Sequence, residues 1–396
     1  MTVRRDSGHR RLISRRVGGI SSSGIRRFFD LLSSMEGVIS LGVGEPDYAT
    51  PWHIREEAIQ SLEKGYTMYT SNSGMPELRT ELARYLKASY GVGYDPESEI
   101  LITVGVSEAL DLAMRALLDP GDEVLMPDPH YVAYDACVLL AEGRPVMLPT
   151  YQKNSFELRA ADVEARITPK TKVLLIGYPA NPTGAVMGRE KLLAIAEVAR
   201  RHNLMVISDE IYCRLVYGIG HTCFSSLPGM KERTILLGGF SKAYAMTGWR
   251  IGYAAAPPDI ITAMTKIHQY TMMCAPTMAQ VAAIEALKNG EQSVLEMVAD
   301  YNRRRLFIVK GLNDIGLPCF EPKGAFYAFP SIKGTGLSSE EFSEKLLYEE
   351  KVAVVPGSAF GECGEGYVRC CYATSLADIE EALNRMKRFI QKHRKK

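Results

Sequence analysis

At 396 residues the chain is too long for one small core and has ample material for two domains and a deep buried site. Its 47 lysines and arginines nearly cancel its 46 aspartates and glutamates, so no global field draws it to nucleic acid, an anionic membrane or acidic macromolecules; small molecules are the expected ligands. No apolar run reaches the roughly 18 residues of a membrane span, the N-terminus lacks the apolar stretch of a signal peptide, and the eight cysteines form no C-x-x-C pair, so a cytoplasmic protein with buried, reduced thiols and no metal site is expected.

In chain order, the opening stretch carries arginines at 4, 5, 10, 11, 15 and 16 and reads as a solvated N-terminal arm over residues 1–18. The segment from Ile20 to Gly44 could join either of two bodies. From about residue 100 to residue 257, short apolar runs alternate with helical periodicity: Ile100 to Gly105, Glu123 to Pro127, Arg144 to Pro149, Thr171 to Pro179, Leu204 to Glu210, Arg233 to Phe240 and Trp249 to Pro257. That rhythm predicts an α/β domain with a mostly parallel sheet, covered by helices such as Ser107 to Leu118 and Glu190 to His202. After about residue 290 the pattern becomes α+β: a charged helix Glu291 to Leu312, strand-like Gly324 to Pro330, Lys351 to Pro356 and Tyr367 to Ala373, then an amphipathic helix from about Asp378 with a basic end at Lys392 to Lys396. The expected division is a large domain over 48–288 and a small one from 19–47 with 289–396, with a cleft between them.

Ligands of open α/β sheets sit beyond the carboxyl ends of the strands, so the residues after each run carry the interest. Tyr178-Pro179-Ala180-Asn181-Pro182-Thr183-Gly184 follows one, Asp209-Glu210-Ile211-Tyr212 the next, and Ser241-Lys242, with Thr247-Gly248-Trp249-Arg250 beyond, a third. Singly, these are a turn, a helix cap and a surface charge. Jointly they are the groups that one cofactor requires.

With Leu41 to Asp47, Tyr69 and Gly74-x-x-Glu77-Leu78-Arg79, Lys323 to Tyr327, and Val355-Pro356-Gly357-x-x-Phe360-Gly361, they make an ordered set by which the chain, from about Ile20 onward, resembles the class I/II aminotransferases of fold type I. Within that family it looks like the branch of prokaryotic aspartate and aromatic aminotransferases. The resemblance implies a large domain built on a mostly parallel seven-stranded sheet, a smaller α+β domain, and pyridoxal 5'-phosphate as cofactor.

It also implies roles. Lys242 matches the Schiff-base lysine, which as a free amine shuttles the substrate α-proton, and Asp209 matches the carboxylate facing the ring nitrogen. Tyr212 and Asn181 match the donors to the cofactor's phenolic oxygen, and Tyr131 the ring stacked on its face; nearby Tyr134 reads as core packing. Gly105, Val106 and Ser107, at a strand-to-helix turn, match the phosphate cradle, with Ser241 and Arg250 as further ligands. Gly239 stands where many relatives place a phosphate-binding serine. Tyr69 matches a tyrosine reaching the neighbouring subunit's phosphate, which implies a homodimer with shared sites. Arg369 matches the clamp for the substrate α-carboxylate, aided by Asn181 and the backbone near Gly44.

Ser107 stands where aspartate-specific relatives often carry a lysine, and Ile20, Phe326 and Phe360 could offer apolar surroundings, so an aromatic or broad-specificity donor with 2-oxoglutarate as acceptor is expected. An aspartate-preferring enzyme and a carbon-sulfur β-lyase on the same scaffold are the alternatives. A transcription regulator would need a DNA-binding domain, and fewer than about twenty residues precede the family match. A nicotinamide dehydrogenase is disfavoured because Gly42-Val43-Gly44 and Gly91-Val92-Gly93 both lack the third glycine of a G-x-G-x-x-G turn.

Overall fold

The computed structural model describes residues 13–20 and 35–393; the arginines at 4, 5, 10 and 11, and the last three residues of the basic end, lie outside them. All seven apolar runs are strands of one sheet. After a short β1 (Ile39–Ser40), these are β2 (Ile100–Thr103), β3 (Glu123–Asp128), β4 (Arg144–Pro149), β5 (Thr171–Gly177), β6 (Met205–Asp209), β7 (Thr234–Gly239) and β8 (Gly252–Ala255). They are ordered β2-β8-β7-β6-β5-β3-β4, and only β8 runs against its neighbours. The reason is in the side chains: every residue of β2, β3 and β8 is buried, so these strands need apolar residues on both faces, whereas β4 at the edge is mostly half-exposed.

Helices Gly105–Leu117, Ala133–Leu140 and Pro258–Thr271 bury Leu112, Met114, Val138, Ile261 and Met264 on one face of the sheet. Helix Arg189–Arg201 buries Leu192, Ile195 and Val198 on the other. The C-terminal part is built on helices Glu291–Asp314, Ser339–Glu350 and Leu376–His393, which enclose Ile308, Leu312, Phe342, Leu346, Met386 and Phe389. A capping box between Ser338 and Glu341 starts the middle one.

The strands of this part are shorter than their apolar runs. Among the described residues of this part, β9 (Tyr327–Ala328), β10 (Val352–Ala353), β11 (Val355–Pro356) and β12 (Val368–Cys371) form ladders, in a β11-β12-β9 antiparallel sheet and a parallel β1-β10 ribbon, while Gly324 and Ser331 make single bridges to Val216 and Tyr367. Buried apolar residues such as Phe326 and Phe329 flank β9 and satisfy the core without joining a ladder.

All eight cysteines are free thiols; Cys213, Cys274 and Cys363 are half-buried and the rest buried. Among the described residues no helix is long and apolar enough to cross a membrane. The described part of the arm includes Arg16, paired with Glu142 at 3.1 Å on the surface.

Candidate active site

A cavity of about 430 Å³ opens at the carboxyl ends of β5, β6 and β7, between the main sheet and the C-terminal part. Gly44, Val106, Ser107, Tyr131, Asn181, Asp209, Tyr212, Ser241, Lys242, Arg250 and Arg369 line it, so most of the expected site residues converge on one space. Parallel strands cause this convergence: Gly177 is in register with Asp209, and Asp209 with Leu237, so the turns that follow leave the sheet side by side.

Asp209 is 7 % exposed. Burial pushes its carboxyl up to about 6, against two donors that favour the anion, the Tyr134 hydroxyl at 2.9 Å from Oδ2 and the Ile211 amide at 3.2 Å from Oδ1. Tyr134 is therefore more than core packing. Its ring is buried with Val138 and Leu175 as expected, but its hydroxyl is aimed at Asp209 through space left by Gly177, whose Cβ would stand 2.3 Å from that oxygen. Periodicity could place the ring inside; it could not say where the hydroxyl points.

Lys242 donates to the Gly44 carbonyl at 2.6 Å, with the rings of Phe326 and Tyr212 at 5.7 and 6.0 Å from its Nζ. Burial draws its amine below the usual lysine range, to about 8, which raises the neutral fraction near pH 7 by roughly two orders of magnitude. An amine that is partly neutral can act as a nucleophile and as a base.

Arg369, on β12, is 4 % exposed. Nη1 donates to Asn181 Oδ1 at 2.9 Å and Nη2 to the Gly42 carbonyl at 2.7 Å, both neutral oxygens, while Nε is buried without a partner among the described residues. A buried cation lacking a carboxylate is costly, and a substrate carboxylate is what would complete it. The same bond orients Asn181: with Oδ1 engaged, its NH₂ is left to donate into the cavity.

The expected phosphate cradle falls at the start of helix Gly105–Leu117, whose first amides have no intrahelical acceptor. Gly105 has φ +77°, and a Cβ there would lie 2.6 Å from Arg250 Nη2, so only glycine lets the guanidinium close over the turn. Glu108 takes the Val104 amide at 2.5 Å and His268 Nδ1 at 2.6 Å, fixing that turn from behind. A serine at position 239 would be tight, since its Cβ would stand 3.0 Å from Val106 and 3.2 Å from Ile211, so those side chains would have to give by a few tenths of an ångström; Ser241 and Ser107 are hydroxyls that line the cavity.

One further expectation changes. Ile20, Phe326 and Phe360 do not line the cavity: Ile20 closes a turn onto Val17, and the two phenylalanines are fully buried behind it, Phe360 with its ring 4.9 Å from the Arg369 guanidinium. They back the cations and offer no wall to a substrate side chain. Tyr69 lies outside its own chain's cavity and is 80 % exposed. Tyr327, which sequence reasoning noted only as part of a motif, lines the cavity with its hydroxyl 2.7 Å from that of Tyr212.

A deep-set carboxylate, a perturbed lysine, an anion cradle and a buried arginine fit pyridoxal phosphate and an amino acid, and the fold around them is that of the PLP-dependent transferases. The chain belongs to the class I and II aminotransferases, whose family model matches residues 36–386, and is an enzyme of the transaminase class. It is 47% identical to aromatic-amino-acid aminotransferase 2 of Thermococcus litoralis over 96% of this chain and 98% of that one. It is 48% identical to an aspartate aminotransferase of Pyrococcus abyssi over the same shares. The crystal structure of an aromatic aminotransferase from Pyrococcus horikoshii superposes with a TM-score of 0.89 at 47% identity, covering 92% of this chain and 99% of that one.

Proposed function

We propose that the protein transfers the amino group of an L-amino acid, aromatic or of broad range, to 2-oxoglutarate in a ping-pong reaction with pyridoxal 5'-phosphate held on Lys242. The observation that carries this reading is the convergence of Asp209, Lys242 and Arg369 on one cavity. Pyridoxal phosphate supplies the electron sink that makes loss of an amino acid's α-proton tolerable. Asp209 holds a positive charge on the ring nitrogen, Asn181 and Tyr212 donate to the phenolic oxygen, and Tyr131 packs on the ring. Gly105, Val106, Ser107, Ser241 and Arg250 hold the phosphate. Arg369 binds the substrate carboxylate and so presents the α-proton to the Lys242 amine, which takes it and returns it. Release of the oxo acid then frees the same clamp for 2-oxoglutarate.

Among the described residues, the cations lining the cavity are Lys242, Arg250 and Arg369, and this reading commits all three to cofactor or α-carboxylate. Among the described residues none of the lining cations is left for a distal carboxylate, which favours an aromatic donor over aspartate. A panel of donors with 2-oxoglutarate, with Lys242→Ala as control, tests this: phenylalanine and tyrosine should yield stoichiometric glutamate. Aspartate far ahead of both would refute the donor reading, ammonia and pyruvate from a cysteine conjugate would point to the lyase, and turnover by Lys242→Ala would refute the mechanism.

The reading extends to a cytoplasmic homodimer with residues 48–288 as the cofactor domain and 19–47 with 289–396 as the small domain. Tyr69 lies in an exposed apolar surface with Met68, Tyr270, Met272 and Met273, and Asn72 and Thr277 bind the loops together through the Met273 and Met68 carbonyls. A second copy would cover this surface and receive Tyr69 at its phosphate site.

A further inference from the structure

Tyr212 and Tyr327 arrive from different parts of the chain, one from the turn after β6 and the other on β9, and their hydroxyls meet at 2.7 Å inside the protein. Both side chains are buried, at 5 % and 1 % exposure. Tyr327 is held on every side. Its backbone pairs with Cys371 on β12, the Arg369 guanidinium stands 4.5 Å from its ring, and its edge packs on Tyr212 at 5.8 Å between centroids. Its hydroxyl occupies the space that Gly44 leaves, 2.6 Å from where a Cβ would be.

Two phenols joined by one hydrogen bond have two protons for one bond, and either oxygen could be the donor. The proposed chemistry removes that ambiguity. If Tyr212 donates to the cofactor's phenolic oxygen, its proton is engaged there, and the 2.7 Å bond can be made only by the proton of Tyr327. A hydroxyl that accepts a hydrogen bond is a stronger donor in turn. Burial holds both phenols above the usual tyrosine range, so both keep their protons at working pH. The charged groups around the pair are Arg369, over the Tyr327 ring, and Lys242, 6.0 Å from the Tyr212 ring.

We propose that Tyr327 is a positioning residue acting through Tyr212: it donates to the Tyr212 oxygen and thereby directs and strengthens the Tyr212 donation to the phenolic oxygen of the cofactor. The proposal rests on the pyridoxal phosphate reading. Gly44 has a part in it, because any side chain there would push the Tyr327 hydroxyl away. So does Arg369, whose place over the ring ties the clamp for substrate to the donor chain for cofactor.

The test is the pH titration of the visible absorbance of the cofactor bound to Lys242, in the wild-type holoenzyme, Tyr327→Phe, Tyr212→Phe and the double variant. Tyr327→Phe should raise the titration midpoint by about 0.3–1 pH unit, a two- to tenfold gain in proton affinity, because a weaker donor stabilises the phenolic anion less. Tyr212→Phe should raise it further, and in that background Tyr327→Phe should add nothing. An unmoved midpoint in Tyr327→Phe, or a shift that persists undiminished without Tyr212, overturns the proposal. Gly44→Ala is the second variant and should raise the midpoint only when Tyr212 is present; a shift independent of Tyr212 counts against the proposal in the same way. Failure of the wild-type protein to form any visible absorbance with pyridoxal phosphate would instead refute the cofactor reading.

Discussion

Asp209→Asn separates what the buried carboxylate costs the fold from what it supplies to the reaction. In the folded chain its proton is held up to about 6, against 3.8 for an ordinary aspartate, so at pH 8 the charge opposes folding by about 3 kcal/mol. The sign follows from proton binding. The folded chain holds this proton more tightly than the unfolded one, so stability is lost as pH rises from about 4 through about 6 and is not recovered above. Asparagine keeps the shape. Its Oδ1 can accept from the Ile211 amide, and its NH₂ can donate to the Tyr134 oxygen once that hydroxyl turns toward the cavity. The cofactor-free variant should therefore gain about 1.5–3 kcal/mol at pH 8, a rise in Tm of about 2–4 °C for a chain of this length, and the gain should fall to about half at pH 5. With pyridoxal phosphate bound the order reverses. The amide cannot hold a positive ring nitrogen, so kcat should drop by about 10²–10⁴ and the cofactor should stabilise the variant less than the wild type. Calorimetry of both forms at pH 8 and pH 5, with single-turnover kinetics, reads all of these. A cofactor-free variant less stable than wild type at pH 8, or wild-type turnover, would refute the reasoning.

Tyr134→Phe removes a donor from the same carboxylate, and urea unfolding of the cofactor-free protein should show a loss of about 1.5–3 kcal/mol at pH 8 that largely disappears near pH 4, where the group is protonated. Gly105→Ala places a Cβ 2.6 Å from Arg250 Nη2 at a φ of +77°, and fluorescence titration should show pyridoxal phosphate binding weakened about tenfold or more, with pyridoxal lacking the phosphate affected far less. Arg369→Lys loses the planar fork, and steady-state kinetics should show KM for both amino and oxo acid raised about 10²-fold while cofactor affinity is kept.

Much of this was legible in the residues. The apolar runs named all seven strands of the main sheet because strands buried on both faces are mostly apolar, with polar residues such as Glu123, Asp128 and Asp209 standing at their ends, and the groups just after them reached one cavity because parallel strands end together. The strands of the C-terminal part were legible only as apolar segments. Gly324 to Pro330 reads as a strand, yet only Tyr327 and Ala328 join a ladder, with Gly324 in a single bridge to Val216, because burial selects apolar residues whether or not their backbone joins a ladder.

The sequence by itself determined the fold class and the family, and it named most of the residues that meet in the cavity, since those stand where strands end. Tertiary structure alone decided direction: that the Tyr134 hydroxyl faces Asp209, that Tyr327 meets Tyr212, that Arg369 turns the Asn181 amide toward the cavity, and that Phe326 and Phe360 stand behind the cations. Spacing along a chain reports which face a side chain leaves from. The atom it finally meets is set by packing among segments as far apart as 75 to 188 residues.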